Sequence, residues 1–167
     1  KAKSYLKKRG LKEETINDYK VGYGGDGWDS LYAFLSKKGL SLTLADELGL
    51  IIPKKSGGYY DRFRGRVIFP ISDIHGRVIG FGGRSIDGSE PKYLNSSESV
   101  LFKKSDSLYG ITVARRWIKE SDEALIVEGY MDLLSLHEAG IKNSVATLGT
   151  ALTAGHLRLI KRLSSNI

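Results

Sequence analysis

A continuous apolar run, Ala124-Leu125-Ile126-Val127, stops at Glu128-Gly129 and gives way to helical spacing from about Tyr130 to Ala139. Four apolar residues without alternation describe a strand covered on both faces, the situation of parallel strands in α/β folds. Gly140 closes the helix, Ser144–Leu148 reads as the next strand, and residues 153–163 read as the next helix. That alternation predicts a parallel sheet with flanking helices. Ligands of such sheets bind beyond the carboxyl ends of the strands, so Glu128 stands where a functional acid would stand. The position equally suits a structural acid, because the first turn of the following helix favours negative charge. A hard cation such as Mg²⁺ takes several oxygen ligands, and one glutamate is too few. Gly149-Thr150 forms a second tight passage from strand to helix, with Thr153 suited to cap the helix. His156 on that helix's first turn reads as a hydrogen-bonding residue, and neither His75 nor His137 has a histidine partner at metal-ligand spacing.

Upstream the pattern differs. Residues 3–20 read as two short helices broken at Arg9-Gly10, and Gly22–Trp28 as a glycine-rich loop. Asp29 or Ser30 is expected to cap a helix ending at Gly39, and Ser41 or Thr43 another ending at Gly49. Tyr59–Arg64 and Arg66–Ile71 have strand composition, and Asp73-Ile74-His75-Gly76 would turn the chain into a returning strand, Arg77–Gly82. Gly82-Gly83 and Asp87-Gly88 are expected to break the sheet. Alternation along the first of these strands would set Arg62 and Arg64 on the face opposite Asp61 and Phe63. A helix is expected over residues 107–119.

The chain has no cysteine, which excludes disulfides and cysteine-bound zinc within these residues. No apolar run approaches the roughly 20 residues that span a bilayer, and no basic-then-apolar leader is visible, so a cytoplasmic protein away from membranes is expected. The net charge is +7, and residues 54–104 hold most of the excess, ten Lys/Arg against five Asp/Glu. Within that stretch Arg62, Arg64, Arg66, Arg84, Lys92, Lys103 and Lys104 are interleaved with Tyr59, Tyr60, Tyr93 and Phe102. Cations for phosphates beside aromatic faces for bases suit single-stranded nucleic acid. Each of these residues taken alone is equally a solvated charge or a core aromatic.

The runs Tyr60–Ile71, Gly76–Arg84 and Pro91–Ser96 resemble matching stretches of bacterial replicative DNA primases of the DnaG type. Glu128-Gly129-Tyr130-Met131-Asp132 resembles that family's first toprim motif, and Leu148-Gly149-Thr150 with Thr153, Ala154 and His156 continues the likeness. The resemblance runs in order from about Tyr5 to the last residue. It implies an α+β N-terminal subdomain (residues 1–120) carrying a basic ridge, followed by the first half of an α/β toprim domain (residues 121–167). By the same likeness Glu128 is the catalytic acid and metal ligand. Arg62, Arg64, Arg66, Arg84, Lys92, Tyr93, Asn95 and Lys104 match the ridge that binds template and nucleotide, and Gly129, Asp132, Gly149, Thr150 and His156 support the toprim loops.

The implied activity is synthesis of short RNA primers on a single-stranded DNA template from ribonucleoside triphosphates, by phosphoryl transfer assisted by Mg²⁺ or Mn²⁺. A replicative helicase would be met through regions not present here. The family's second acidic motif, an Asp-x-Asp, is expected just after Ile167, and its zinc-binding domain before Lys1. The fragment alone is therefore expected to bind single-stranded DNA but make no primers. A non-catalytic nucleic-acid-binding module with toprim architecture, or another toprim enzyme such as a topoisomerase or nuclease, is the competing expectation.

Overall fold

The computed structural model describes residues 1–167. Two short helices open the chain, α1 (Ala2–Lys8) and α2 (Glu13–Asp18), parted at Arg9-Gly10 as expected. Gly10 takes a φ of 82°, which a residue with a Cβ adopts only under strain. Leu6 of α1, with Leu11 before α2 and Tyr19 after it, is buried in the core. The glycine-rich loop begins with a strand the sequence did not reveal, β1 (Gly22–Tyr23), paired antiparallel with Ile68 and Val67.

A small module follows: α3 (Ser30–Lys37), α4 (Leu42–Glu47), β2 (Ile51–Pro53) and β3 (Tyr59–Asp61). Gly39 and Gly49 close the two helices with φ of 66° and 64°, and Ser41 caps α4 by accepting the Leu44 amide at 3.2 Å. The expected cap of α3 is corrected. Asp29 holds the N-cap position without a side-chain bond. The carboxylate of Asp61, thirty residues on, accepts the amides of Leu31 and Tyr32 instead.

The central sheet has the order β1-β4-β5-β6 and is antiparallel throughout, with β4 (Arg66–Ser72), β5 (Val78–Ser85) and β6 (Tyr93–Asn95). The hairpin across Asp73–Gly76 forms as expected. Three other expectations fail for stated reasons. The strand expected to reach Arg64 ends at Asp61 and pairs with β2 in a separate ribbon. Asp61 is drawn inward to cap α3, so Arg62, Phe63 and Arg64 leave the ladder and strand alternation does not set their directions. Gly82 and Gly83 do not break the sheet, because β5 runs through both. A Cβ on Gly82 would overlap the Tyr130 ring, and one on Gly83 would meet the Phe63 ring at 2.8 Å. These glycines are where two aromatic rings lie flat on the strand. Finally, the helix expected from residue 107 is α5 (Ile111–Ser121). Tyr109 is extended and exchanges backbone hydrogen bonds with Ala146 at 2.9 and 3.0 Å, and Gly110 turns the chain into the helix.

The C-terminal part is the expected parallel unit: β7 (Leu125–Val127), α6 (Tyr130–Glu138), β8 (Ser144–Ala146) and α7 (Ala154–Ile160), with Ile126 opposite Val145. Val145 and Ala146 are fully buried, whereas Leu125 remains 37% exposed, so the double covering expected for this pair holds for β8 but not for the start of β7. Strand β8 ends at Ala146, before the expected Leu148, which instead occupies a turn with φ of 64°. One apolar cluster joins Val67, Phe69 and Ile71 of β4 to Tyr130, Leu133 and Leu134 of α6, so the two sheets share a core. A second, on the other side of β8, gathers Ile111, Ala114 and Ile118 of α5 with Val145 and Ile160. Burial of these side chains is worth about 1.5–3 kcal/mol each. No helix is long and apolar enough to cross a membrane.

Candidate nucleic-acid interface and acidic strand end

Glu128 leaves the C-terminal end of β7 with its side chain exposed and engaged in no ion pair. Its main chain is fixed: the Gly149 amide donates to its carbonyl at 3.0 Å, tying the two strand-end loops together. Gly129 then turns the chain into α6, and the Asp132 carboxylate folds back over it, since a Cβ on Gly129 would meet Asp132 Oδ2 at 3.0 Å. Glu128 and Asp132 are the only sequence-expected acids at this edge. No group of three or more His, Cys, Asp or Glu side chains is placed to hold a metal. Two exposed carboxylates fall short of the oxygen set that a hard divalent cation takes, so these residues do not by themselves form a metal site.

Arg62, Arg66 and Arg84 each bond to the segment Pro91–Asn95. Arg62 donates from Nη2 to the Asn95 carbonyl at 3.2 Å, and Arg66 donates to the Pro91 carbonyl at 2.7 Å. Burial, more than any neighbouring charge, holds the Arg66 guanidinium below the usual arginine range. Arg84, only 8% exposed, donates to the Tyr93 hydroxyl, and its guanidinium lies 4.8 Å from the Tyr93 ring centroid and 5.5 Å from that of Tyr5. Lys92 is exposed on the approach to β6. Arg62, Arg64, Arg66, Arg84 and Lys92 form no ion pair with any carboxylate. The Nε atoms of Arg62 and Arg84 are buried without a hydrogen-bond partner.

Lys104 opens a 3₁₀ turn (Lys104–Asp106) that packs against α7, at the second strand-end passage. His156 is fully buried and donates from Nε2 to the Lys104 carbonyl at 2.7 Å, while its Nδ1 accepts the Thr153 amide at 3.3 Å. Thr153 accepts the His156 amide in return, closing the capping box. His156 therefore holds the second strand-end passage as a satisfied hydrogen-bonding residue. Thr150 is tied to Thr147 by a hydroxyl-to-carbonyl bond of 2.7 Å within the same turn.

Three residues join the ridge that sequence reasoning passed over. Trp28 is 59% exposed, stacks on Tyr60 at 5.6 Å between centroids, and carries the Arg64 guanidinium 4.1 Å from its own ring centroid. Tyr5 lies between the guanidiniums of Arg84 and Arg9, each 5.5 Å from its ring centroid. Trp28 sits in a glycine-rich loop, Tyr5 on the first helix and Arg9 just after it, far from the other basic residues in sequence, so no local pattern signalled them.

The family model for the N-terminal domain of the DNA primase catalytic core matches residues 1–115. The chain belongs to the DNA primase catalytic-core family. A toprim domain model matches residues 122–166. The chain is 49% identical over 165 residues to a DNA primase of Deinococcus radiodurans, covering 98% of this chain and 29% of that protein. It superposes on the Escherichia coli primase catalytic core with a TM-score of 0.90 at 43% identity, covering 99% of this chain and 53% of that one. A DnaG primase catalytic domain bound to single-stranded DNA is similar with a TM-score of 0.89 at 43% identity, again covering 99% and 53%. The chain thus spans less than a third of the curated primase and about half of each solved catalytic core. The expected fold, an α+β region followed by part of an α/β toprim domain, is what the primase core shows here.

Proposed function

We propose that this chain is the part of a DNA primase that grips the single-stranded template and nucleotide phosphates and presents Glu128 to the reacting end. The observation that carries this reading is a set of five cations without carboxylate partners, three of which, Arg62, Arg66 and Arg84, bond to the segment Pro91–Asn95, whose Asn95 side chain in turn accepts the Tyr130 hydroxyl just after Glu128. Phosphates supply the missing negative charge, and the Trp28, Tyr60 and Tyr93 rings offer faces to bases. The relative solved with single-stranded DNA supports the same assignment. Arg62, Arg64, Arg84 and Lys92 bind phosphate in this reading, whereas Arg66 is held by Pro91 and shapes the ridge from beneath.

In the whole protein Glu128 would be one ligand of Mg²⁺ or Mn²⁺, with other acids completing the set. That ion supplies charge stabilisation for phosphoryl transfer from ribonucleoside triphosphates. Within this chain the residues bind and orient: the ridge aligns the template, and the Gly129 and Gly149 turns fix the direction of Glu128. The isolated 167-residue chain accordingly binds single-stranded DNA and makes no RNA. The test is template-dependent RNA synthesis with labelled ribonucleotides by the full-length protein beside its Glu128→Gln form. Short products that vanish in the variant carry the reading. Products that Glu128→Gln makes equally well return the chain to a binding role.

A further inference from the structure

The loop carrying Glu128 is closed by side chains as well as by backbone. Tyr130, the first residue of α6, donates its hydroxyl to Asn95 Oδ1 at 2.7 Å. Asn95 Nδ2 donates to the Leu148 carbonyl at 3.1 Å. The next amide, Gly149, donates back to the Glu128 carbonyl at 3.0 Å. The circuit Glu128–Tyr130–Asn95–Leu148–Gly149–Glu128 therefore closes on the main chain of Glu128. It has one branch to the ridge, the Arg62 guanidinium on the Asn95 carbonyl at 3.2 Å.

Every member is held in place. The Tyr130 ring is 3% exposed, stacks on Phe69 at 4.8 Å and meets Tyr109 edge-on at 4.7 Å. It crosses β5 over Gly82, where a Cβ would overlap it, and so reaches β6, whose Asn95 is the register partner of Gly82. The Leu148 carbonyl only accepts, which settles the orientation of the Asn95 amide: nitrogen toward Leu148, oxygen toward Tyr130. Leu148 and Gly149 both have positive φ, 64° and 72°. For leucine that conformation is unfavourable and persists only where the surroundings over-determine it. The Asn95 amide is the side-chain bond that holds the Leu148 carbonyl in that turn.

The geometry points to Asn95 and Tyr130 as positioning residues that couple occupancy of the basic ridge to the placement of Glu128, a role distinct from direct phosphate contact. The inference rests on the nucleic-acid reading above. A phosphate bound at Arg62 draws its guanidinium outward, changes the load on the Asn95 carbonyl, and so shifts the amide that holds Leu148. Because the turn at Leu148-Gly149 is strained, a small change in that bond moves the Gly149 amide and the Glu128 carbonyl it binds.

The test is an amide ¹H–¹⁵N titration of the 167-residue chain with oligothymidylate, following Arg62 and Tyr93 on the ridge and Gly129 and Gly149 beside Glu128. In the wild type all four resonances move together with one dissociation constant. Tyr130→Phe keeps the ring over Gly82 and removes only the hydroxyl; Asn95→Asp keeps the acceptor for Tyr130 and removes the donor for Leu148. In both variants the Gly149 displacement at saturating DNA is lost, while in Tyr130→Phe Arg62 and Tyr93 still move with unchanged affinity. Gly149 displacements equal to wild type in both variants overturn the coupling, as does a wild type whose Gly149 stays still while its ridge resonances move. A fall in DNA affinity that accounts for the whole effect in Tyr130→Phe makes the Tyr130 hydroxyl part of the binding surface and overturns the positioning role. If no ridge resonance moves in the wild type, the nucleic-acid reading fails, and this inference with it.

Discussion

Asp61 accepts the Leu31 amide at 2.7 Å from the end of a strand thirty residues downstream, and its other oxygen takes the Tyr32 amide at 2.9 Å. The carboxylate is 3% exposed, so it replaces water for two of the unpaired amides at the start of α3. A cap of this kind contributes about 1–2 kcal/mol. Asp61→Ala is expected to lower stability by about 2 kcal/mol and the melting temperature by roughly 4–8 °C, with Asp61→Asn falling between the two. Thermal denaturation followed by circular dichroism measures it, and an unchanged midpoint in Asp61→Ala would show the cap to be dispensable.

Lys92 is exposed and has no carboxylate partner, so its charge contributes little to folding and is free for phosphate. Lys92→Ala should leave the melting temperature in place and weaken binding to single-stranded DNA. The log–log slope of affinity against salt should flatten by about 0.7, the loss of one phosphate contact. Arg64→Glu should flatten it further. Fluorescence anisotropy across a salt series decides this; an unaltered slope in both variants assigns the two cations to surface solvation.

Trp28 offers the complementary test, because it is uncharged. Its exposed ring already stacks on Tyr60 and bears the Arg64 guanidinium, leaving its outer side for a base. Trp28→Ala is expected to weaken single-stranded DNA binding by about 1–3 kcal/mol with the salt slope unchanged. DNA-induced quenching of tryptophan fluorescence should disappear with it, Trp117 being on α5. Quenching that survives in the variant would place the DNA elsewhere.

His137 links the N-terminal helices to the parallel unit: its Nδ1 accepts the Tyr19 hydroxyl at 2.6 Å, and its Nε2 donates to the Ser144 carbonyl at 3.2 Å. Both bonds use the neutral ring. Burial pushes its pKa below the ordinary value, with a smaller push from Lys142. The unfolded chain therefore binds the proton more readily than the folded one, and stability rises with pH through this group. The contribution is complete above the unfolded value of about 6.5 and is lost as pH falls below it. The melting temperature should decline between about pH 7 and pH 5, before most carboxylates titrate, and the decline should be shallower in His137→Gln. Equal slopes in wild type and variant would remove His137 as the source.

Much of the parallel unit was legible in the sequence because its signals are local. The apolar run into Glu128, the stop at Gly140 and the Thr153 cap each lie within a few residues of what they control, and all three stand in the structure. The upstream sheet was legible in its β4–β5 hairpin and not at its edges. Gly82-Gly83 looked like a break because the Tyr130 ring that needs the gap arrives from forty-eight residues away. Arg62 and Arg64 looked like one face of a strand because nothing near them announces that Asp61 leaves its ladder to cap α3.

By itself, then, the sequence determined the kinds and order of elements, the strand-end position of Glu128, the concentration of cations between residues 54 and 104, and the likeness to the primase core. Periodicity, turn chemistry and charge are properties of neighbouring residues, so they survive in the linear chain. Only the tertiary structure decided that Arg62, Arg66 and Arg84 bond to the segment Pro91–Asn95, that Trp28 and Tyr5 carry guanidiniums on their rings, and that Asn95 is engaged between Tyr130 and Leu148. Those relationships depend on how sheets and helices pack across a shared core, where partners far apart in sequence, such as Asn95 and Leu148 or Tyr5 and Arg84, meet and no local pattern records the meeting.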